Sequence, residues 1–166
     1  GFQLYGADVS PVMLEQGLTF TKKQRFSAEF VAADAAALPF ADASFDNAIA
    51  VAVYHHLEGD AARAAGFREL HRVLVPGGEA FITVWNRRQR RFQWFRREAL
   101  VPWHIDGHRV MRYHHLYTYR ELAAALKAAG FQIIHQHPEH GYRGRWREFS
   151  RNVCALVRKP DATGGR

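Results

Sequence analysis

At 166 residues the chain is long enough for one domain with a real core, and an apolar content of 48% with 13% aromatic residues excludes a disordered chain. No run of eighteen apolar residues occurs and no basic segment followed by a hydrophobic one opens the sequence, so neither a membrane span nor a secretory leader is expected, and a soluble, cytoplasmic protein is. The formal charge of +7 suits a polyanionic partner or simply solubility, and its distribution matters more than its sum.

Gln3-Leu4-Tyr5-Gly6-Ala7-Asp8 reads as a short strand ending on a carboxylate, and Ser10-Pro11 supplies an N-cap and first-turn proline for a helix starting near Val12. Asp8 is placed either to accept the hydroxyls of an adenosine ribose or merely to cap the turn. Glu29 to Asp34 repeats the pattern, a brief strand with an acidic tip, followed by Ala35 to Leu38 and the Pro39-Phe40 break. Phe45 to Leu57 follows as the central strand. Its apolar run predicts burial on both faces, and it ends on His55 and His56. Ligands of open α/β sheets bind beyond the carboxyl ends of the strands, so the two histidines are either the first candidates for a site or ordinary structural hydrogen-bonders.

Asp60 to Leu74 carries Ala64, Phe67, Leu70, His71 and Leu74 at helical spacing, with Arg63, Arg68, Glu69 and Arg72 on the remaining face. Val75-Pro76-Gly77-Gly78 ends that helix, and Glu79 to Trp85 reads as a buried strand. The unit from Phe45 to Trp85 is thus strand, helix, strand with a parallel crossover. Arg87, Arg88, Arg90, Arg91, Arg96 and Arg97 then fall within eleven residues, interleaved with Phe92, Trp94 and Phe95 and with no acid before Glu98. Such a segment reads as an uncompensated basic field that grips RNA phosphates and stacks on unpaired bases, or as a solvated loop with docked aromatics.

Leu100 to His104 and Arg112 to Tyr117 are dense in groups both aromatic and hydrogen-bonding, which suits a lid over a pocket. Thr118 with Glu121 makes a capping box for a helix ending at Gly130, and Phe131–His137 and Asn152–Arg158 look like two closing strands, antiparallel to each other. Cys154, inside the last of these, reads as a small buried hydrophobe. Disulfide and thiolate chemistry are therefore not expected, and neither is a metal site.

Asp8, the Asp34…Leu38-Pro39-Phe40 segment, Phe45-Asp46, the strand ending His55-His56-Leu57, and Leu70…Arg72-Val73-Leu74…Pro76-Gly77-Gly78 together resemble a class I S-adenosylmethionine-dependent methyltransferase. Ala50 to Leu57, Leu100-Val101-Pro102-Trp103 and Arg112-Tyr113-His114-His115-Leu116-Tyr117 before Glu121-Leu122 are most similar to the tRNA wobble-uridine carboxymethyl methyltransferases. The resemblance implies a Rossmann-like, doubly wound, mostly parallel sheet over residues 1–160, with an arginine- and aromatic-rich insertion at 86–117 and a tail at 161–166. It further implies S-adenosylmethionine as cofactor, esterification of 5-carboxymethyluridine in tRNA, and a small zinc-binding activator subunit docked along a sheet edge.

Carried onto this sequence, the resemblance puts Asp8 with neighbouring Ser10 on the cofactor ribose, Asp34 and Ala35 on the adenine edge, and Ala50 and Val51 beside the methionine. His55, His56 and Arg112 would hold the substrate carboxylate, and the six arginines the anticodon stem-loop. A carboxylate is ionised at neutral pH, so the transfer needs alignment rather than a general base. The family's first strand and glycine-rich loop have no counterpart here, so the chain is expected to be N-terminally incomplete. A small-molecule methyltransferase and a non-catalytic RNA-binding or scaffold relative are the competing readings.

Overall fold

The computed structural model describes residues 1–92, 97–105, 108–139 and 148–161. Among these residues, eight strands and three α-helices run in the order β1 (Tyr5–Asp8), α1 (Pro11–Gln24), β2 (Glu29–Ala32), β3 (Phe45–Val51), α2 (Asp60–Val73), β4 (Leu74–Trp85), β5 (Glu98–Ile105), β6 (His108–His115), α3 (Tyr119–Ala128), β7 (Gln132–Pro138) and β8 (Asn152–Arg158). Four strands lie in the order β3-β4-β8-β7, with β3 and β4 parallel and the other pairs antiparallel, so the closing antiparallel pair is as expected. β1 and β2 form a parallel pair of their own, and β5 and β6 an antiparallel hairpin. This is a mixed α/β fold of the Rossmann-like kind.

Local signals set the helix starts. Ser10 Oγ accepts the Met13 N–H at 3.4 Å with Pro11 at the first helical position, and Thr118 and Glu121 make the reciprocal capping box of α3. Phe67, Leu70, Leu122 and Leu126 of α2 and α3 bury their stripes against Leu74, Ile82 and Val84 of β4 and Val153, Ala155 and Val157 of β8. Cys154 is buried in the same strand, and burial pushes its thiol up to about 11, an inert small hydrophobe.

Expectations about the central strand and the helix after it are corrected. The central strand stops at Val51, because Ala52 takes a left-handed φ of 60° and Tyr54–His56 form a 3-10 turn. Nor is it buried on both faces: Ile49 is 77% exposed and Val51 59%. The reason lies in the pairing. Among the described residues β3 pairs only with β4 and β1 only with β2, while the Tyr5 and Phe45 rings, 5.5 Å apart, bring the two units together with no strand between them. Leu74 belongs to β4 rather than α2, and Val75 to Gly78 bulge out of the ladder, with register jumping from Phe45–Leu74 to Asn47–Glu79 and Gly77 at φ 80°.

Arg63, placed by its spacing on the open face of α2, is instead buried at 6% exposure. Arg72 is another arginine withdrawn from solvent, its side chain 29% exposed. Its guanidinium donates to the carbonyls of Leu38 and Phe40 and pairs with Asp42 and Glu69, while Glu69 accepts the Leu38 N–H at 2.8 Å. The Arg72 pairing fastens the loop carrying Asp34 to α2.

Gly66 brings α2 against the turn bearing the two histidines: a Cβ there would lie 2.7 Å from Leu57 Cδ1 and 3.0 Å from the Tyr54 ring. Gly66→Val should destabilise the fold by about 1–3 kcal/mol through overpacking. Urea unfolding measures this, and an unchanged midpoint would show that the turn yields freely.

Candidate functional site

The site begins where β3 ends. Ala52 donates its N–H to Thr83 O at 3.0 Å and Thr83 Oγ1 at 3.1 Å, a strained residue held in place by the neighbouring strand. The chain then turns Tyr54 into the core against Phe67, with ring centroids 4.5 Å apart, and aims the next two side chains the other way. His55 is 1% exposed, and its Nδ1 accepts the Trp85 N–H at 3.3 Å. His56 is half-buried, and its Nδ1 lies 3.0 Å from the Tyr113 carbonyl. A carbonyl can only accept, so Nδ1 carries the proton and Nε2 keeps its lone pair, facing Arg112 Nη2 at 3.4 Å.

The hairpin supplies the third ring. His114 of β6 is 3% exposed and directs Nδ1 at the Arg112 carbonyl, 3.0 Å away, so its Nε2 also presents a lone pair. It stacks on Trp85 at 4.2 Å between centroids and on His55 at 5.2 Å, and meets His56 edge-on at 4.5 Å. One ring nitrogen from each of the three histidines lies within 4.8 Å of the others. The expected lid includes His114, yet the C-terminal end of the hairpin, with Leu116 and Tyr117 beyond it, enters the core. The adjacent Arg112-Tyr113-His114-His115 run was the available signal, and only tertiary pairing says which of its histidines faces the turn.

Burial drives the electrostatics. It pushes His55 down to about 2, helped by His56, His114 and Arg112, and it pushes His114 down to about 4 against the hydrogen bond to the Arg112 carbonyl. His115, on the other face of β6, is held down to about 4 by burial and by Arg63. For His56 the burial effect is opposed by the Tyr113 carbonyl and by the negative charge of Asp8, and the net direction is still downward. The Asp8 charge at the tip of β1 thus favours the protonated form of His56, against the larger effect of burial.

Arg112 belongs to the same site, over the Trp103 ring at 5.3 Å and beside His56. Behind it, Arg63 donates to Leu57 O at 3.0 Å and to Tyr113 Oη at 2.9 Å, pairs with Asp60, and so clamps the histidine turn to β6. Sequence reasoning missed this residue, since a buried arginine on a helix looks like any other charge on its wheel.

Asp8 accepts the Ser10 N–H through Oδ1 at 2.8 Å, the turn-cap geometry, and leaves Oδ2 to accept from a ligand. Ser10 spends its hydroxyl on the N-cap. Asp34 similarly accepts the Ala36 N–H at 2.8 Å in a tight turn just past β2, with Ala35 at its apex. Ala50 is buried in β3, and Val51 is exposed at its end. Asp8, Asp34 and Val51 thus mark the carboxyl ends of three parallel-paired strands, where ligands of such sheets bind.

The arginine run is not the uncompensated field expected of it. Arg87 pairs with Glu121 at 3.2 Å, Arg97 with the same carboxylate at 3.4 Å, and Arg88 with Glu148 at 3.0 Å. Arg91 lies over the Trp85 and Phe92 rings at 5.3 Å each. The acids come from distant sequence, which a local reading does not see. Arg96, Trp94 and Phe95 lie outside the described residues, as does the Arg90 side chain.

Residues 1–82 match the methyltransferase domain family. The tRNA (carboxymethyluridine(34)-5-O)-methyltransferase of Schizosaccharomyces pombe is 30% identical over 142 residues, covering 70% of this chain and 60% of that protein. A SAM-dependent methyltransferase from Methanosarcina mazei superposes with a TM-score of 0.77 at 20% identity, over 98% of this chain and 84% of that one. The putative methyltransferase in complex with a methyltransferase activator from Haloferax volcanii superposes at 0.70 and 17% identity, over 98% and 74%. The chain spans about half the length, or less, of the first curated relatives it matches.

The buried histidines also fix the acid behaviour of the chain. His55, His114 and His115 are neutral when folded, with folded values near 2, 4 and 4 against about 6.5 when unfolded, so the unfolded state binds the extra protons. Their contribution to stability is full above pH 6.5 and lost as pH falls from there toward 4. Urea midpoints should drop between pH 6.5 and 4.5, with proton uptake on unfolding approaching about three. A flat profile across that window would mean that the rings are solvated.

Proposed function

We infer that this chain, which belongs to the class I methyltransferases by its fold and by the match of its first 82 residues, transfers a methyl group to the carboxylate of 5-carboxymethyluridine at the wobble position of tRNA. The observation that carries the reading is Arg112 beside His56 at the carboxyl end of β3, within the field of Asp8. S-adenosylmethionine is the methyl donor of the family and supplies, when bound, an electrophilic methyl on a sulfonium. The residues present fit its adenosine half: Asp8 Oδ2 and the Asp34 turn are acceptors for ribose and adenine donors, and Ala50 with Val51 makes an apolar wall.

The chain's own residues supply alignment. The nucleophile is an ionised carboxylate, so no proton has to be removed before attack. The Arg112 guanidinium is the donor fork that fits it, and its stacking on Trp103 limits the ways the fork can turn. The neutral tautomers refine the role first given to the histidine pair. His56 turns a lone pair toward Arg112 and so orients the guanidinium, while the His55 proton, on Nε2, is the imidazole donor. Arg88 and Arg91, at the surface of the 86–117 segment, reach tRNA phosphates, Arg88 on exchanging Glu148 for phosphate. The activator subunit of the proposal takes the outer edge of β2, which pairs with no strand among the described residues and lies beside an α1 that exposes Leu18 and Phe20.

One observation favours the small-molecule alternative: the pairing of Arg87 and Arg97 with Glu121 and of Arg88 with Glu148 leaves less charge for RNA than the sequence promised. Methylation of tRNA bearing 5-carboxymethyluridine, assayed on the full-length protein with the activator present, separates the two. Arg112→Gln should lower kcat roughly 100-fold, the scale for losing one preorganised donor, with cofactor affinity intact. Asp8→Ala should instead weaken cofactor binding by roughly 1.5–3 kcal/mol. Full turnover of a small carboxylic acid with none of tRNA would overturn the proposal.

A further inference from the structure

Three imidazoles converge from two separate elements, and two of them have Nδ1 committed to a backbone carbonyl, so they form a ligand set as well as a hydrogen-bonding group. His56 and His114 each tie Nδ1–H to a backbone carbonyl, of Tyr113 and of Arg112, at 3.0 Å. A metal-ligating histidine almost always donates its second nitrogen in this way, which fixes the ring and leaves Nε2 as the ligand. His55 adds a third nitrogen, and the three lie within 4.8 Å of one another. Around one Zn2+ at 2.0–2.1 Å, tetrahedral ligand nitrogens stand about 3.3 Å apart, so closure needs the longest separation to shrink by about 1.5 Å.

We propose that His55, His56 and His114 bind one borderline divalent transition-metal ion, Zn2+ foremost, with a fourth position open toward Arg112. The donor set selects the class. Three imidazoles without a thiolate or an inner carboxylate suit Zn2+, Ni2+ or Cu2+ and not Mg2+ or Ca2+, which take oxygen. Two costs are visible. If His55 binds through Nε2, its proton moves to Nδ1 and the long 3.3 Å contact from the Trp85 amide is given up. The Arg112 cation, 3.4 Å from His56 Nε2, repels the ion, while the Asp8 carboxylate, whose charge reaches His56, attracts it.

That balance gives the proposal a sign that nonspecific histidine binding does not share. Zn2+ titrated into the metal-free protein against a chromophoric chelator should show one site, and Co2+ in its place should give the visible absorption of a tetrahedral complex. His114→Gln should weaken the site by more than about 100-fold, the upper end of what losing only an outer-shell partner costs. Arg112→Gln should tighten it. His135→Ala with His137→Ala, which removes the other stacked histidine pair, should leave it unchanged. If His114→Gln does not fold, His56→Ala at the half-buried ring gives the same reading. Zn2+ affinity that is indifferent to His56 and His114, or lost with His135 and His137, overturns the proposal. The titration involves no methyl transfer, so its outcome is independent of the function proposed above.

Discussion

The constraint on which the site depends is the docking of the β6 end against the 3-10 turn after β3. Neither segment could hold its histidines alone: the turn is three residues long, and β6 belongs to a two-stranded hairpin of marginal stability by itself. Together they exchange what each lacks. β6 offers the carbonyls of Arg112 and Tyr113, the turn offers the Leu57 carbonyl, and Arg63 bridges them from α2. Because a carbonyl only accepts, these contacts also decide which nitrogen of His56 and His114 is protonated. Backbone geometry thereby sets the chemistry of the side chains.

The same economy governs charge. A chain of net charge +7 packs three of its arginines into structural duty: Arg63 at the turn, Arg72 at the Leu38 loop and Arg87 at the capping carboxylate of α3. Glu121 serves the Thr118 cap and two arginines at once, so the start of α3 and the base of the arginine-rich segment share one carboxylate. What remains for a polyanion is the exposed part of that segment rather than the whole of it.

Much of the fold was legible because its signals are local. The Ser10-Pro11 start, the Thr118 to Glu121 box and the β3-α2-β4 unit all depend on residues close in sequence. The errors have one physical source, which is long-range pairing. The apolar run from Ala48 to Val53 predicts burial on both faces, yet β3 has a neighbour on one edge only among the described residues. Arg63 sits at a solvent-like helical position but has a hairpin against it. The compensating acids Glu121 and Glu148 lie 24 and more residues from the arginines they neutralise. For the candidate site, His55 and His56 could be named because a strand tip is a general place for ligands, and Arg112 through the family resemblance. His114 could not be singled out, because alternation along β6 separates it from His115 only once the register is known.

The central claim is that three neutral imidazoles of defined tautomer meet at the end of β3. Imidazole 15N chemical shifts of the metal-free protein at pH 7 test it directly. The account predicts His56 and His114 protonated on Nδ1 alone, and His55 on Nε2 alone. An imidazolium at any of the three, or averaged shifts typical of freely exchanging solvent-exposed rings, would contradict it.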